Sequence, residues 1–153
     1  MRIAVLPHAF SPEADIARFC HRRGADAGAL ATFVGYCRAQ SGGADVTQLE
    51  LQHYPGFTEA EVRRLAEAVA GRHDLIDLLV VHRVGVIPAG EPIVLVAALS
   101  AHRAAAFKAV EELMDYLKTD APIWKRESGP AGARWIEPTE RDRARRASHG
   151  ETE

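Results

Sequence analysis

LIDLLVVHRVGVIPAGEPIVLVAALSAHR, residues 75–103, decides the fold of this chain. Residues 75–84 and 93–99 are two β-rich apolar runs, and the connector GVIPAGEP between them is rich in proline and glycine and reads as a turn. The two runs are therefore expected to be antiparallel neighbours. Their hydrophobicity is nearly continuous rather than alternating, which puts them deep in a sheet. The last four residues, SAHR, leave the second strand and open a helix.

On the C-terminal side, that helix is expected over about 101–118. Phe107, Val110, Met114 and Leu117 form its apolar stripe, and Pro122 ends it. Residues 123–128 and 133–137 read as two short strands around the turn SGPAG. After Pro138 comes TERDRARRASHGETE, which has no large apolar residue and too little to bury to order itself. The expected organisation is one domain over residues 1–138 and a flexible polar tail over 139–153, helical at most at its start.

On the N-terminal side, PGFTEAEVRRLAEAVAGRH predicts an amphipathic helix. Thr58 and Glu61 have the spacing of a capping box, and Val62, Leu65, Ala66 and Val69 share one face. Residues 28–38 and 47–54 read as strands joined by the loop AQSGGAD, hence a hairpin with a long mobile tip. Alternation along 28–38 places Tyr36 and Arg38 on one face and Cys37 on the other. Residues 2–6 form a short strand. Ser11 caps a helix that has Pro12 at its first position and stops at Gly24. Mixed helices and antiparallel sheets, with about three helices, make the class α+β.

Bulk properties narrow the function. At 153 residues the chain needs no disulfide or metal to hold its core. A formal net charge of −2 argues against non-specific nucleic-acid binding, though not against a local anion site. Cys20 and Cys37 form neither a disulfide framework nor a metal-ligand spacing, and His53, His73 and His82 show none either. The first ten residues do not resemble a signal peptide, and no apolar run approaches the roughly 20 residues of a membrane span, so a cytoplasmic location is expected.

Chemistry is expected where lysine survives. Of 19 basic side chains, 16 are Arg and three are Lys, and Lys118 and Lys125 share the eight-residue stretch KTDAPIWK. Arginine does not release its proton in a protein, whereas lysine does when it is buried or set beside another cation. If the chain doubles back at its proline, the two amines share a pocket with Trp124 as an apolar wall. At the other end of the helix, SAHR offers free N–H groups, the fork of Arg103 and the titratable ring of His102, a plausible anion site. Arg38 is a second candidate clamp, although an arginine at a strand end more often simply faces solvent. Cys37 reads as packing more readily than as a sulfur nucleophile. Arg126 and Glu127 read as a solvated ion pair of little energetic weight.

The segments FVGYCR (33–38), LELQHYPGFTEAE (49–61), HRVGVIPAGEPIV (82–94), SAHRAAAF (100–107) and MDYLKTDAPIWKRE (114–127) resemble the large, catalytic subunit of molybdopterin synthase. The resemblance runs from about residue 3 to 137. It implies an α/β-hammerhead fold with an additional antiparallel sheet. It also implies a sulfurtransferase that needs neither metal nor cofactor. Sulfur would come as a thiocarboxylate on the Gly-Gly C-terminus of a small ubiquitin-like carrier and pass to cyclic pyranopterin monophosphate, giving molybdopterin. A homodimer of large subunits would bind one carrier at each end. Carried over by position, Lys118 and Lys125 are the essential lysines. Arg38, His102 and Arg103 would hold the pterin, with backbone help from Tyr36 and Cys37, and Arg126 and Glu127 would stand beside the two lysines.

A 17-residue helix is about 25 Å long, so SAHR and Lys118 cannot serve one small pocket. In a dimer, residues of the second subunit would resolve this. The loop at 39–46 departs from the acidic or histidine pair that many relatives carry, which leaves its role open. Two other functions compete: a non-catalytic phosphate- or pterin-binding protein, and a phosphotransferase or hydrolase. The two retained lysines argue against the first. The absence of a P-loop and of an acidic metal cluster from the sequence argues against the second.

Overall fold

The computed structural model describes residues 1–150. Its strands are β1 (Arg2–Leu6), β2 (Ala29–Tyr36), β3 (Gln40–Ser41), β4 (Ala44–Asp45), β5 (Gln48–His53), β6 (Leu75–Arg83), β7 (Gly85–Pro88), β8 (Pro92–Ser100), β9 (Ile123–Gly129) and β10 (Gly132–Ile136). Its helices are α1 (Pro12–His21), α2 (Phe57–Arg72), α3 (Arg103–Thr119) and α4 (Glu140–Ala147).

The first sheet has the order β1-β6-β8-β2. β6 and β8 are antiparallel neighbours, as their sequence predicts, with Val80 opposite Val96 and Val81 opposite Leu95. The reason for their unbroken hydrophobicity is that both faces are covered. Leu78, Val80, Val94, Val96 and Ala98 pack in the cluster that holds α2 and α3. Leu79, Val81, Leu95, Ala97 and Leu99 face the other way, into the cluster that takes Phe19 of α1. β1 runs parallel to β6, so this sheet is mixed rather than wholly antiparallel.

The second sheet, β10-β9-β5-β7, is antiparallel throughout. The chain passes into it from β6 at Gly85, whose φ of +83° suits glycine. Its apolar side is a separate cluster of Cys37, Val46, Leu49, Leu51, Val84 and Ile87. The expected hairpin of 28–38 with 47–54 does not form. β2 pairs with β8 in the first sheet, while β5 pairs with β7 and β9 in the second. Only the tip of the intervening loop closes on itself, as β3 and β4.

α1 begins as predicted, with Ser11 Oγ accepting from Ala14 N and Pro12 in the first turn, but it ends at His21, before Gly24. The buried stripe of α2 is the predicted one, Val62, Leu65, Ala66 and Val69. Its cap lies two residues earlier than expected. Gly56 is the N-cap and Glu59 accepts from the Gly56 N–H. Thr58 is buried instead. Its hydroxyl accepts from Tyr54 N at 3.0 Å and donates to Pro122 O at 3.1 Å, tying the start of α2 to the chain just before β9.

On α3, Val110 and Leu117 are buried as expected, but Phe107 is 65% exposed and Ala106, Ala109, Leu113 and Tyr116 complete the inner face. Small residues at 106 and 109 allow close packing on the sheet.

α4 occupies part of the expected polar tail. Thr139 caps it, accepting from Asp142 N at 3.2 Å. It is held to α3 by charge: Arg145 to Asp115 and Glu111, Arg146 to Asp120, and His149, just beyond its end, to Asp115. This is a route to order that a count of apolar residues misses. Residues 151–153 of that tail lie outside the described residues. Among the described residues, no helix is long and apolar enough to cross a membrane.

Candidate active site

A cavity of about 830 Å³ opens where α3 ends against β9, β10 and the start of α4. Its walls include Tyr36, Cys37, Arg38, Lys118, Lys125 and Glu127. Six of the nine residues singled out by sequence thus converge on one space.

Lys118 and Lys125 arrive by different routes. Lys118 sits in the last turn of α3, where a cation suits the helix dipole. After Pro122, β9 runs back along β5, and Lys125 pairs in register with Leu51. Burial lowers the Lys125 pKa below its ordinary 10.5, the charge of Lys118 lowers it further, and Asp142 opposes both. Among the described residues, the Lys125 amine has no hydrogen-bond or ion-pair partner. Trp124 lines the cavity as the expected apolar wall and meets Tyr54 edge to face, with ring centroids 5.1 Å apart.

Tyr36, Cys37 and Arg38 all line the cavity, although alternation would have set Cys37 opposite Arg38. The β2–β8 register shifts between Gly35 and Tyr36 and the strand ends there, so period-two alternation no longer applies. Cys37 N donates to Glu91 O at 2.9 Å, and Gly90 N donates to Cys37 O at 2.6 Å. The Cys37 thiol is buried. Burial first, and then the charge of Glu127, pushes its pKa up. It is therefore kept as a thiol and poorly suited to nucleophilic work.

Arg126 and Glu127 are not an ion pair with each other. They face opposite sides of β9, as neighbours on a strand must. Arg126 pairs with Glu50 of β5 and lies over the Trp135 ring at 5.6 Å, away from the cavity lining. Glu127 faces the cavity and accepts from Arg134 Nη2 at 3.2 Å.

His102 and Arg103 are not at this cavity. They open α3 at its far end, both exposed. Ser100 Oγ accepts from His102 N at 3.1 Å and fixes the turn, leaving both side chains without a hydrogen bond or ion pair among the described residues.

The sequence reading missed Asp142, Arg134 and Arg143, which also line the cavity. Asp142 Oδ1 lies 2.7 Å from Lys118 Nζ. The signal for it was TERD at 139–142, a threonine followed three residues later by an acid, the capping-box spacing. Hydrogen bonds from Lys118 and Thr139 hold the Asp142 pKa down at about 2, against the opposing effect of burial.

A family model described as MoaE protein matches residues 6–120. The chain belongs to the MoaE family. Similar MoaE-family proteins include the molybdopterin synthase catalytic subunit of Caulobacter vibrioides, 50% identical over 143 residues, 94% of this chain and 93% of that one. The corresponding subunit of Escherichia coli is 45% identical over 115 residues, 75% of this chain and 77% of its own length. Among solved structures, the molybdopterin cofactor biosynthesis protein E of Burkholderia multivorans superposes with a TM-score of 0.80 at 39% identity, covering 99% of this chain and 98% of that one. Molybdopterin synthase from Staphylococcus aureus gives 0.79 at 25% identity, covering 88% and 96%. The MoaE fold extends to a chain from the Helicobacter pylori complex of subunits 1 and 2 of molybdopterin-converting factor, with a TM-score of 0.71 at 19% identity, covering 91% of each chain. The mixed α/β architecture and the membership implied by the sequence resemblance both stand. The relatives favour the sulfurtransferase over a binding protein without chemistry.

Proposed function

We propose that this chain is the catalytic subunit of a cytoplasmic molybdopterin synthase. It moves sulfur from the thiocarboxylated C-terminus of a small carrier protein to cyclic pyranopterin monophosphate. The observation that carries this reading is the pair Lys118 and Lys125 on one cavity with Arg38. Thiocarboxylate sulfur is already a good nucleophile, so the protein must bring the reactants together and manage charge and protons. Arg38 supplies a fork for the anionic pterin, and Lys118 a point charge. Lys125 has a lowered pKa and no partner among the described residues, so it is suited to passing a proton as the cyclic phosphate opens.

The carrier's tail is a chain end with negative charge, and a cavity lined by cations attracts it. Two terminal glycines carry no side chain, which fits a narrow approach. His102 and Arg103 stand too far away to act in the same protomer's cavity. They complete the site of a second copy in a homodimer, which binds two carriers.

The test is reconstitution with the thiocarboxylated carrier and cyclic pyranopterin monophosphate. Molybdopterin is expected to form, and a carrier lacking its terminal glycines should still dock but support no turnover. Light scattering should give a dimer at micromolar concentration. Undiminished turnover with the shortened carrier, or a monomer, would sink this reading.

A further inference from the structure

The Asp142 carboxylate is held from two sides. Its Oδ2 accepts from Thr139 N and from Thr139 Oγ1, both at 2.8 Å, which closes the cap of α4. Its Oδ1 is turned to Lys118 Nζ at 2.7 Å. The residue as a whole is buried. A cap needs only an acceptor at this position, and the second oxygen is free to be aimed. The fold aims it at one of two amines in the same cavity and leaves the other without a carboxylate.

We propose that Asp142 is a positioning residue that divides the work of the two lysines: it fixes Lys118 as an ammonium at a set place in the cavity and leaves Lys125 as the amine that gives and takes protons. This rests on the sulfur-transfer reading and extends it to a residue of α4. An ion-paired ammonium is a steady positive charge for an anionic reactant, but a poor base because its proton is held by the carboxylate. An unpaired amine next to that ammonium loses its proton more readily.

The other charges around the pair do not remove the distinction. Glu127 is engaged by Arg134, Arg38 and Arg143 are permanent cations in the lining, and Asp120 is taken by Arg146. His82, buried in the sheet behind Lys125, stays neutral near pH 7, with its pKa pushed down to about 4 mainly by burial. Glu137, also in the lining, is an exposed acid that meets Arg143 at 3.9 Å.

The lysine-poor composition makes the test direct. The chain has three lysines, Lys108, Lys118 and Lys125. Full-length protein labelled at lysine 13Cε should therefore give three resonances, assignable through Lys→Arg variants. Lys125 is expected to titrate below the ordinary lysine value of 10.5. Asp142→Asn should lower the Lys125 midpoint further, by about half a pH unit or more, because a nearby negative charge is lost. Lys118→Ala should raise it.

In the reconstituted enzyme, Asp142→Asn is expected to lower kcat about tenfold or more and move the acid limb of the rate profile with the Lys125 midpoint, and Asp142→Glu should recover most of the loss. Thr139→Ala, which weakens the cap but keeps the carboxylate, should leave the acid limb in place. A Lys125 midpoint that does not respond to Asp142→Asn, or wild-type turnover in that variant, overturns the assignment. If the wild type makes no molybdopterin while the Lys125 midpoint still moves as stated, the sulfur-transfer reading fails and the coupling of Asp142 to the amines stands.

Discussion

Arg103 and Lys118 open and close the same helix, α3, and are about 22 Å apart along its axis. Lys118 lines the cavity; Arg103 does not. If both serve one reaction, a site must draw Lys118 and Lys125 from one protomer and Arg103 from its partner. Mixing Arg103→Ala chains with Lys125→Ala chains tests this. Each homodimer is inactive, but a mixed dimer has one site with both residues intact and one with neither. Random exchange should then restore about a quarter of wild-type turnover, since half of the dimers are mixed and each has one good site. No recovery after subunit exchange, verified by native mass spectrometry, would mean that the two residues act within one chain, and wild-type turnover of the Arg103→Ala homodimer would mean that Arg103 has no part in the reaction.

The lysines themselves give the second expectation. Lys118→Ala and Lys125→Ala should each reduce molybdopterin formation by about a hundredfold or more, the scale of a lost proton-transfer or charge-stabilising group. Lys125→Arg keeps the charge but cannot release a proton, and should not rescue. Stability supplies an independent check. The folded state holds the Lys125 pKa below 10.5, so the charged form is disfavoured in the fold. That cost is fully present at neutral pH and disappears as pH rises through the depressed value toward 10.5. Lys125→Met should therefore raise Tm at pH 7, by an amount that shrinks in alkaline buffer. A lowered Tm at pH 7 would show that Lys125 is not disfavoured by burial.

Much of this arrangement was legible in the sequence because it is written in local periodicity. The double-faced hydrophobicity of 75–84 and 93–99, the stripe of α2 and the Ser-Pro start of α1 each depend on neighbours a few residues away. What was not legible depends on distant partners. β2 and β5 flank one loop and read as a hairpin, yet β2 pairs with the buried apolar β8 and β5 with β7 and β9, partners far along the chain that local alternation does not reveal. Phe107 has helical spacing with Val110 and Met114, but the helix turns Ala106 and Leu113 inward instead. α4 was passed over because its contacts with α3 are charged. Of the residues that line the cavity, Lys118, Lys125, Arg38 and Glu127 stand out in the sequence; Asp142 does not, since its placement depends on the cap that aims it. Arg126 was misplaced although strand alternation already sets it opposite Lys125 and Glu127.

A third expectation concerns pH and the core. His82 is buried in β6, its Nδ1 lies 2.9 Å from Arg83 O, and its pKa is pushed down to about 4, mainly by burial. The unfolded chain takes up this proton near pH 6.5, the folded one only near 4. Stability from the neutral ring is therefore complete above about 6.5 and lost progressively as pH falls toward about 4, a total of about 3 kcal/mol. His82→Leu should flatten the stability curve across that window in urea titrations at stepped pH. An unchanged slope in the variant would assign the acid sensitivity elsewhere.

The last expectation concerns the attachment of α4, which rests on ion pairs with little apolar contact. Arg145 Nε reaches Asp115 Oδ1 at 3.0 Å, Arg146 Nε reaches Asp120 Oδ2 at 2.7 Å, and Lys118 reaches Asp142 across the cavity. At about 1 M salt the screening length falls to roughly 3 Å, so the exposed members of this set should weaken while the apolar core does not. Amide exchange of residues 140–147 should then accelerate with salt at concentrations that leave α2 and the first sheet protected. Acid should act in a defined window. Asp142 has its pKa lowered to about 2 from 3.8, so its contribution is present above about 4 and lost as pH falls toward 2, about 1–2 kcal/mol given partial solvent screening. Deleting residues 139–153 should leave the dimer intact, because β1 to β10 and α1 to α3 keep their cores, yet turnover should fall at least as far as in Asp142→Asn. If the truncated protein keeps full turnover, α4 is a structural appendage and no element of the site. If salt leaves α4 as protected as α2, apolar packing rather than charge holds it.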